Sequence, residues 1–200
     1  MKHIVRKPYW DYMKEEAWLN EMSARGMALT DYSWCRYVFT DAEPGEYVYR
    51  IELLEHVPTH PESMAYIRFL EENGVECVAT YMRWIYLRKK TAEGPFDIYS
   101  DIDSKINHYR RVNAFWNVLM YLEFGAALIN IAVVVFYILF PPESIYYYPA
   151  HTHVVRSSDF PTVNAICAGI LIVIGLMFVR LGRPIRRMIR KLKKEKTIRE

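Results

Sequence analysis

The hydrophobic pattern changes character at residue 115. Positions 115–140, FWNVLMYLEFGAALINIAVVVFYILF, are apolar almost throughout and are interrupted by Asn117, Glu123 and Asn130. A membrane-spanning helix needs about 20 apolar residues, and this run supplies them. At a rise of 1.5 Å per residue it makes about 39 Å of helix, against a hydrocarbon core of about 30 Å. Residues 115–117 therefore belong to the interface, or the helix tilts. A second apolar run, 162–181, follows a short polar gap. Together the two runs predict a membrane hairpin behind an N-terminal soluble domain.

Residues 1–95 show shorter periods. Residues 3–7 alternate and predict a short strand that ends at Pro8. Asp11 fits the N-cap of a helix over 12–25, with Glu15 and Glu16 in its early turns, where negative charge suits the dipole. Trp18, Leu19 and Met22 form its expected buried stripe, and Gly26 its stop. Strands are predicted over 34–40 and 46–54, and the Pro44-Gly45 turn between them predicts a hairpin. A helix over 60–73 has Thr59 and Glu62 at capping-box spacing, a stripe of Met64, Ile67 and Leu70, and Gly74 as its end. Residues 75–80 and 83–89 predict a second hairpin.

The expected order is β-α-β-β-α-β-β. It points to an α+β, ferredoxin-like sandwich with one extra strand and both helices on one sheet face. Residues 96–114 read as a connecting helix, continuous with the membrane helix or hinged before it. The domain plan is a head over 1–95, the connector, spans over 115–140 and 162–181, a loop over 141–161 and a tail over 182–200. After Pro184, Ile185, Met188, Ile189 and Leu192 recur at helical spacing among basic residues, predicting an amphipathic helix.

Charge is segregated. Residues 1–104 carry 12 Lys/Arg against 18 Asp/Glu, whereas residues 183–200 carry nine against two. An acidic head is a poor nucleic-acid binder. The basic tail suits anionic lipid, through Arg183, Arg186, Arg187, Arg190, Lys191, Lys193 and Lys194, or an acidic partner such as the head itself. Lys105, Arg110 and Arg111 precede the first span and Arg180 and the tail follow the second, while the loop holds Arg156 alone. The positive-inside rule then puts both termini in the cytoplasm. Tyr146, Tyr147 and Tyr148 fit an aromatic belt outside. No apolar signal core opens the chain. Cys35, Cys77 and Cys167 are scattered and form no disulfide framework.

Four stretches carry a resemblance: EEAWLNEMSARGMAL (15–29), RYVFTDAEPGEYVYRIELL (36–54), FLEENGVECV (69–78) and WIYLRKKTAEGPFDIYSDIDSKINHYRR (84–111). In order and spacing, residues 3–111 resemble the bacterial domain-of-unknown-function family 2812. Met27 and Val75 stand where that family more often has Trp, as core substitutions. The resemblance implies a cytoplasmic domain on a bacterial membrane protein. Genes of that family often neighbour PadR-type transcriptional regulators, which implies a regulatory or envelope-stress circuit. It implies no reaction and no catalytic residues.

Candidate chemistry is sparse. Glu123 shares a helical stripe with Ala126, Ala127 and Asn130, and an ionisable group in a span usually faces protein or water. Asn164 and the Ala165-to-Gly169 spacing on the second run suit close helix approach, so the stripe reads as interhelical hydrogen bonding, as a proton-linked site or as snorkelling toward the interface. Trp34, Arg36, Tyr47, Tyr49, Trp84, Tyr86 and Arg88 could line an exposed sheet face for a partner, or simply pack. His151 and His153, with Asp159 beyond, weigh as a weak outer metal site against an ordinary polar loop. His3, His56, His60 and His108 show no ligand spacing. The paired acids Glu15/Glu16 and Glu71/Glu72 read as solvated helix faces, and Cys35 and Cys77 as core thiols in strands. No nucleophile elbow, zinc-protease motif or phosphate loop is present. The expectation is a non-enzymatic membrane protein without cofactor. Its head would bind a small ligand or a protein partner (itself or a regulator). The alternative is an accessory subunit docking on a transporter through Glu123 and Asn130.

Overall fold

The computed structural model describes residues 1–99, 101–140 and 159–199. They form two compact units: Met1–Val112 with Ile189–Glu200, and Asn113–Met188. The elements of the first unit are β1 (Lys2–Arg6), α1 (Tyr12–Ala24), β2 (Met27–Ser33), β3 (Arg36–Asp41), β4 (Tyr47–Leu53), α2 (Pro61–Glu72), β5 (Glu76–Tyr81) and β6 (Trp84–Lys90), followed by a 3-10 turn at Thr91–Glu93. Helices α3 (Ile102–Leu139) and α4 (Asp159–Arg199) complete the chain.

The head holds six strands in two three-stranded antiparallel sheets, ordered β1-β3-β2 and β4-β6-β5. This replaces the expected single five-stranded, ferredoxin-like sheet. The difference starts at β2, which the sequence pattern missed. A bulge between Leu29 and Asp31 breaks its alternation. Trp34 and Cys35, expected to open a strand, are instead the turn between β2 and β3, with φ of 36° and 60°. Positive φ at both central residues is the signature of a type I′ hairpin, usually supplied by Asn and Gly. Strand β3 therefore pairs with β1 and β2. The hairpin expected across Pro44-Gly45 does not form, and that turn crosses from one sheet to the other. The expected β5–β6 hairpin does form.

The two sheets are two copies of one β-α-β-β plan. In each, the third strand lies between the first and second, so the first two are parallel and joined by a helix. The correspondence extends to single residues at an offset of 48. Gly26 and Gly74 follow the helices with φ of 80° and 79°, and each N–H bonds the carbonyl three residues back, that of Ser23 or Glu71. The bulge of β2 recurs between Cys77 and Ala79 of β5, and the positive φ of Trp34 recurs at Met82.

Burial explains which residues hold the copies together. Tyr37, Tyr49, Phe39, Leu19, Leu29, Leu53, Ile85 and Leu87 are fully buried. Removing a Leu or Phe side chain from water contributes about 1.5–3 kcal/mol. Of the expected helix stripes, Leu19 and Met22 are buried and Trp18 half-buried, while Leu70 is buried and Met64 is exposed. Helix α2 rests on its own sheet, where Leu70, Val75, Ile85, Leu87 and Phe96 form one cluster. Helix α1 packs against β2 and also against β4 of the other copy.

The second unit contains most of two helices long and apolar enough to cross a membrane. They lie antiparallel: Trp116 stacks on Phe178 at 5.8 Å and Tyr137 meets Phe160 at 5.0 Å. The close approach is at Gly175, where a Cβ would stand 2.7 Å from the Phe124 ring. The expected Ala165-to-Gly169 contact is not used. Both residues are exposed, and Ala168, Gly175 and Gly182, seven apart, form the buried stripe instead. Pro184 does not end α4. Arg186 Nη2 donates to Val179 O at 3.0 Å; the carbonyl that Pro184 leaves without its helix donor is the next one, that of Arg180.

Candidate functional site

Two clefts flank the segment 95–99, which runs from the second sheet to α3. The first, about 430 Å³, is lined by Glu52, Tyr66, Tyr99, Ser104 and Arg111 among others. Glu52 sits near the end of β4 and is 3% exposed. A carboxylate there needs partners. Tyr66 Oη donates to it at 2.8 Å and Arg111 Nη2 at 3.3 Å. Burial pushes the Glu52 pKa above the usual carboxylate range, and the tyrosine hydrogen bond and Arg111 charge only partly oppose that. Arg111 also donates to Leu53 O, so the α3 end of the head is tied to β4.

The second cleft, about 600 Å³, is lined by Tyr12, Ile51, Phe96, Tyr99, His108 and Tyr109, with Arg50 and Glu16 in its wall. His108 is 2% exposed, and the rings of Tyr12, Tyr99 and Tyr109 stand 5.3–5.8 Å from its own. Its Nδ1 is the one buried side-chain nitrogen or oxygen among the described residues with no hydrogen-bond partner. Such groups are rare, because an unmade buried hydrogen bond costs about 1–3 kcal/mol. Burial pushes the Tyr12 pKa far up, so this hydroxyl stays protonated.

A third cluster lies between β4 and α2. His56, His60 and Glu62 bring their ligand atoms within 4.8 Å of one another. The His56 and His60 rings stack at 4.1 Å. The spacing of these histidines in the chain gave no such indication, because the turn before α2 doubles the backbone back.

The remaining sequence-derived candidates scatter. Tyr49 and Tyr86 are buried and cannot line an exposed platform. Tyr49 Oη accepts from Leu29 N at 2.8 Å, and Tyr86 Oη donates to Glu15 at 2.8 Å. Trp84 lies on Tyr12 at 5.3 Å. Arg88 makes a two-nitrogen pair with Glu76 and covers the Tyr47 ring, and Arg36 reaches Asp31 at 3.4 Å. Trp34 is 76% exposed, at the hairpin turn.

Glu15 and Glu16 correct the expectation of a solvated acidic face. Glu15 is buried between the two sheets and accepts from Tyr37 Oη at 2.6 Å and from Tyr86. Burial raises its pKa, against those hydrogen bonds. Glu16 accepts from Ile51 N at 2.9 Å. Cys77 is in a strand, its thiol pushed up to about 11 by burial, whereas Cys35 is in the turn.

In the second unit Glu123 and Asn130 are half-buried beside the buried Ala127. Asn130 and Asn164 each donate to their own helix, to Ala126 O and Phe160 O at 2.8 Å. Arg183, Arg187, Arg190, Lys191, Lys193 and Lys194 are exposed, and Ile185 and Leu192 are buried. Arg186 differs from its neighbours and reaches Asn113 and Asn117 at 3.5 and 3.4 Å. Lys196 pairs with Asp103 of α3 at 2.8 Å, both within the first unit. The tyrosines 146–148, His151 and His153 lie outside the described residues, as does the side chain of Asp159.

Both clefts and the loop to α3 fall within residues 11–121, which match the family described as "Protein of unknown function (DUF2812)". The chain belongs to that family. The DUF2812 match takes in the head from residue 11 onward and continues into the first apolar helix, so the family unit includes the α3 turns that carry His108 and Arg111. No curated protein and no solved structure matches the chain. Sequence reasoning missed Glu52 and His108. Their signal is a polar residue inside an apolar strand or beside aromatic residues, which reads equally as a surface position until the fold is known.

Proposed function

We propose that the DUF2812 head is a non-enzymatic ligand-binding module on a two-helix membrane anchor, and that the second cleft takes a flat, mainly apolar small molecule with one polar group. The observation that carries this reading is the unpartnered Nδ1 of buried His108 in an aromatic-lined cleft. Ligand pockets are largely apolar with a few placed polar groups, typically of about 300–1,000 Å³. His108 lies one turn ahead of Val112 on α3, the helix that continues into the first apolar run. A ligand in this cleft therefore lies against the helix that leads into that run. Lys105, Arg110 and Arg111 before that run and the basic tail after the second support a cytoplasmic head.

The full chain in detergent tests the reading. Aromatic heterocycles screened by thermal shift should include compounds that raise the melting temperature of the head, and His108→Phe, which fills the cleft, should abolish the shift. Compounds that protect wild type and His108→Phe equally would place the site elsewhere. Turnover of a substrate by the purified protein alone would overturn the non-enzymatic part. Docking on a transporter through Glu123 and Asn130 has less support, because Ala127 on that stripe is already buried within the second unit.

A further inference from the structure

We infer that His56, His60 and Glu62 bind a divalent transition-metal ion. Two imidazoles and a carboxylate are a donor set that zinc and its first-row neighbours accept, and three protein ligands leave a position for water or another group. The three ligand atoms lie within 4.8 Å of one another, and His56 Nε2 is 3.4 Å from Glu62 Oε2. Bonds of about 2.0–2.1 Å at tetrahedral angles require donors about 3.4 Å apart, so one pair already has that spacing and the third donor must move inward. The freedom exists, since the His56 and Glu62 side chains are 43% and 77% exposed. The rings, stacked at 4.1 Å, are already gathered on one side.

Two opposing terms are present. His60 is the N-cap of α2, and its Nδ1 accepts from Glu62 N at 3.3 Å. A neutral imidazole has one lone pair, so an ion at either ring nitrogen takes the place of that cap. The positive end of the helix dipole also disfavours a cation there. Glu62, together with Glu55 in the lining of the adjoining cleft, offsets it. The site does not depend on His108 or on the proposed organic ligand.

Chelator-stripped full chain in detergent should bind one equivalent of Zn²⁺ by calorimetry, and Co²⁺ should give the visible absorption of a low-coordinate site. His56→Ala should weaken Zn²⁺ binding by more than about tenfold, as ligand losses exceed those of supporting residues. His60→Asn, which keeps a cap but supplies no imidazole, should do the same with α2 intact by circular dichroism. His108→Phe and the double variant His151→Ala/His153→Ala should bind as wild type. Unchanged affinity in His56→Ala and His60→Asn, or loss of binding in the His151/His153 variant, would overturn the inference.

Discussion

In the first half of the head, α1 turns Glu16, Asn20 and Ser23 onto the outer edge of β4. Asn20 accepts from Tyr49 N at 2.8 Å and donates to Tyr49 O at 3.1 Å, Ser23 bonds both backbone groups of Tyr47, and Glu16 takes Ile51 N. In the second half the positions 48 residues on are Met64, Arg68 and Glu71, and all three are exposed. Among the described residues α2 has no packing on β1 comparable to that of α1 on β4. One outer strand is thus satisfied by helix side chains, and its counterpart is protected differently. β1 has five residues, with Lys2 and Arg6 exposed on it, and short, cationic edge strands resist pairing with other chains. A repeated fold need not repeat its edge protection.

The largest test of that asymmetry is a paired core truncation. Leu19→Ala should destabilise the head by about 2–5 kcal/mol, and the equivalent Ile67→Ala by clearly less, because Ile67 is only half-buried. Equal losses in denaturant melts would show that the halves are energetically alike. Next, Asn20→Ala should cost about 1–3 kcal/mol through the unpaired groups of Tyr49 and should speed exchange of that amide, whereas Arg68→Ala should stay within about 0.5 kcal/mol. A protected Tyr49 amide in Asn20→Ala would remove the edge-capping role.

The two helix-ending glycines differ in their surroundings as well. Alanine at either Gly26 or Gly74 is strained by the positive φ, at about 1 kcal/mol or more. At Gly26 the new Cβ also meets Ala42 O at 2.9 Å, a backbone atom, while at Gly74 it meets the flexible Glu93 carboxylate at 2.8 Å. Gly26→Ala should therefore melt lower than Gly74→Ala. The smallest effect is a pH slope. Burial holds the Glu15 pKa above its unfolded value of 4.5, so its contribution is full below that pH and is lost as pH rises through the folded value. Glu15→Gln should gain on wild type as pH is raised from about 4 to 8. Ser63, the counterpart of Glu15, introduces no such slope, and a flat difference between Glu15→Gln and wild type would mean that Glu15 titrates normally.

Much of the architecture was legible. The apolar runs, both head helices, their glycine stops and the β5–β6 hairpin follow from periodicity and turn chemistry. Strand β2 was not, because its bulge at Thr30 disturbs the alternation and bulky Trp34 and Cys35 occupy turn positions that normally signal themselves with Asn or Gly. The repeat was present in the letters, as Ala17-Trp18-Leu19 against Ala65-Tyr66-Ile67 and Gly26 against Gly74, but so few identities carry weight only once the strand orders coincide. The clefts were least visible. Glu52, His108 and the His56/His60 pair are brought to their neighbours by tertiary packing, which no local spacing records.

Because α1 of one half closes an edge of the other, neither half is a complete folding unit. A chain released after Gly45 would present the face of Glu16, Asn20 and Ser23 with nothing to bind, and one beginning at Glu46 would leave the outer side of β4 open. Of the two helix-to-edge seams that the repeated plan would allow, the described residues form one, between α1 and β4. The corresponding surface of α2, at Met64, Arg68 and Glu71, is left open to solvent.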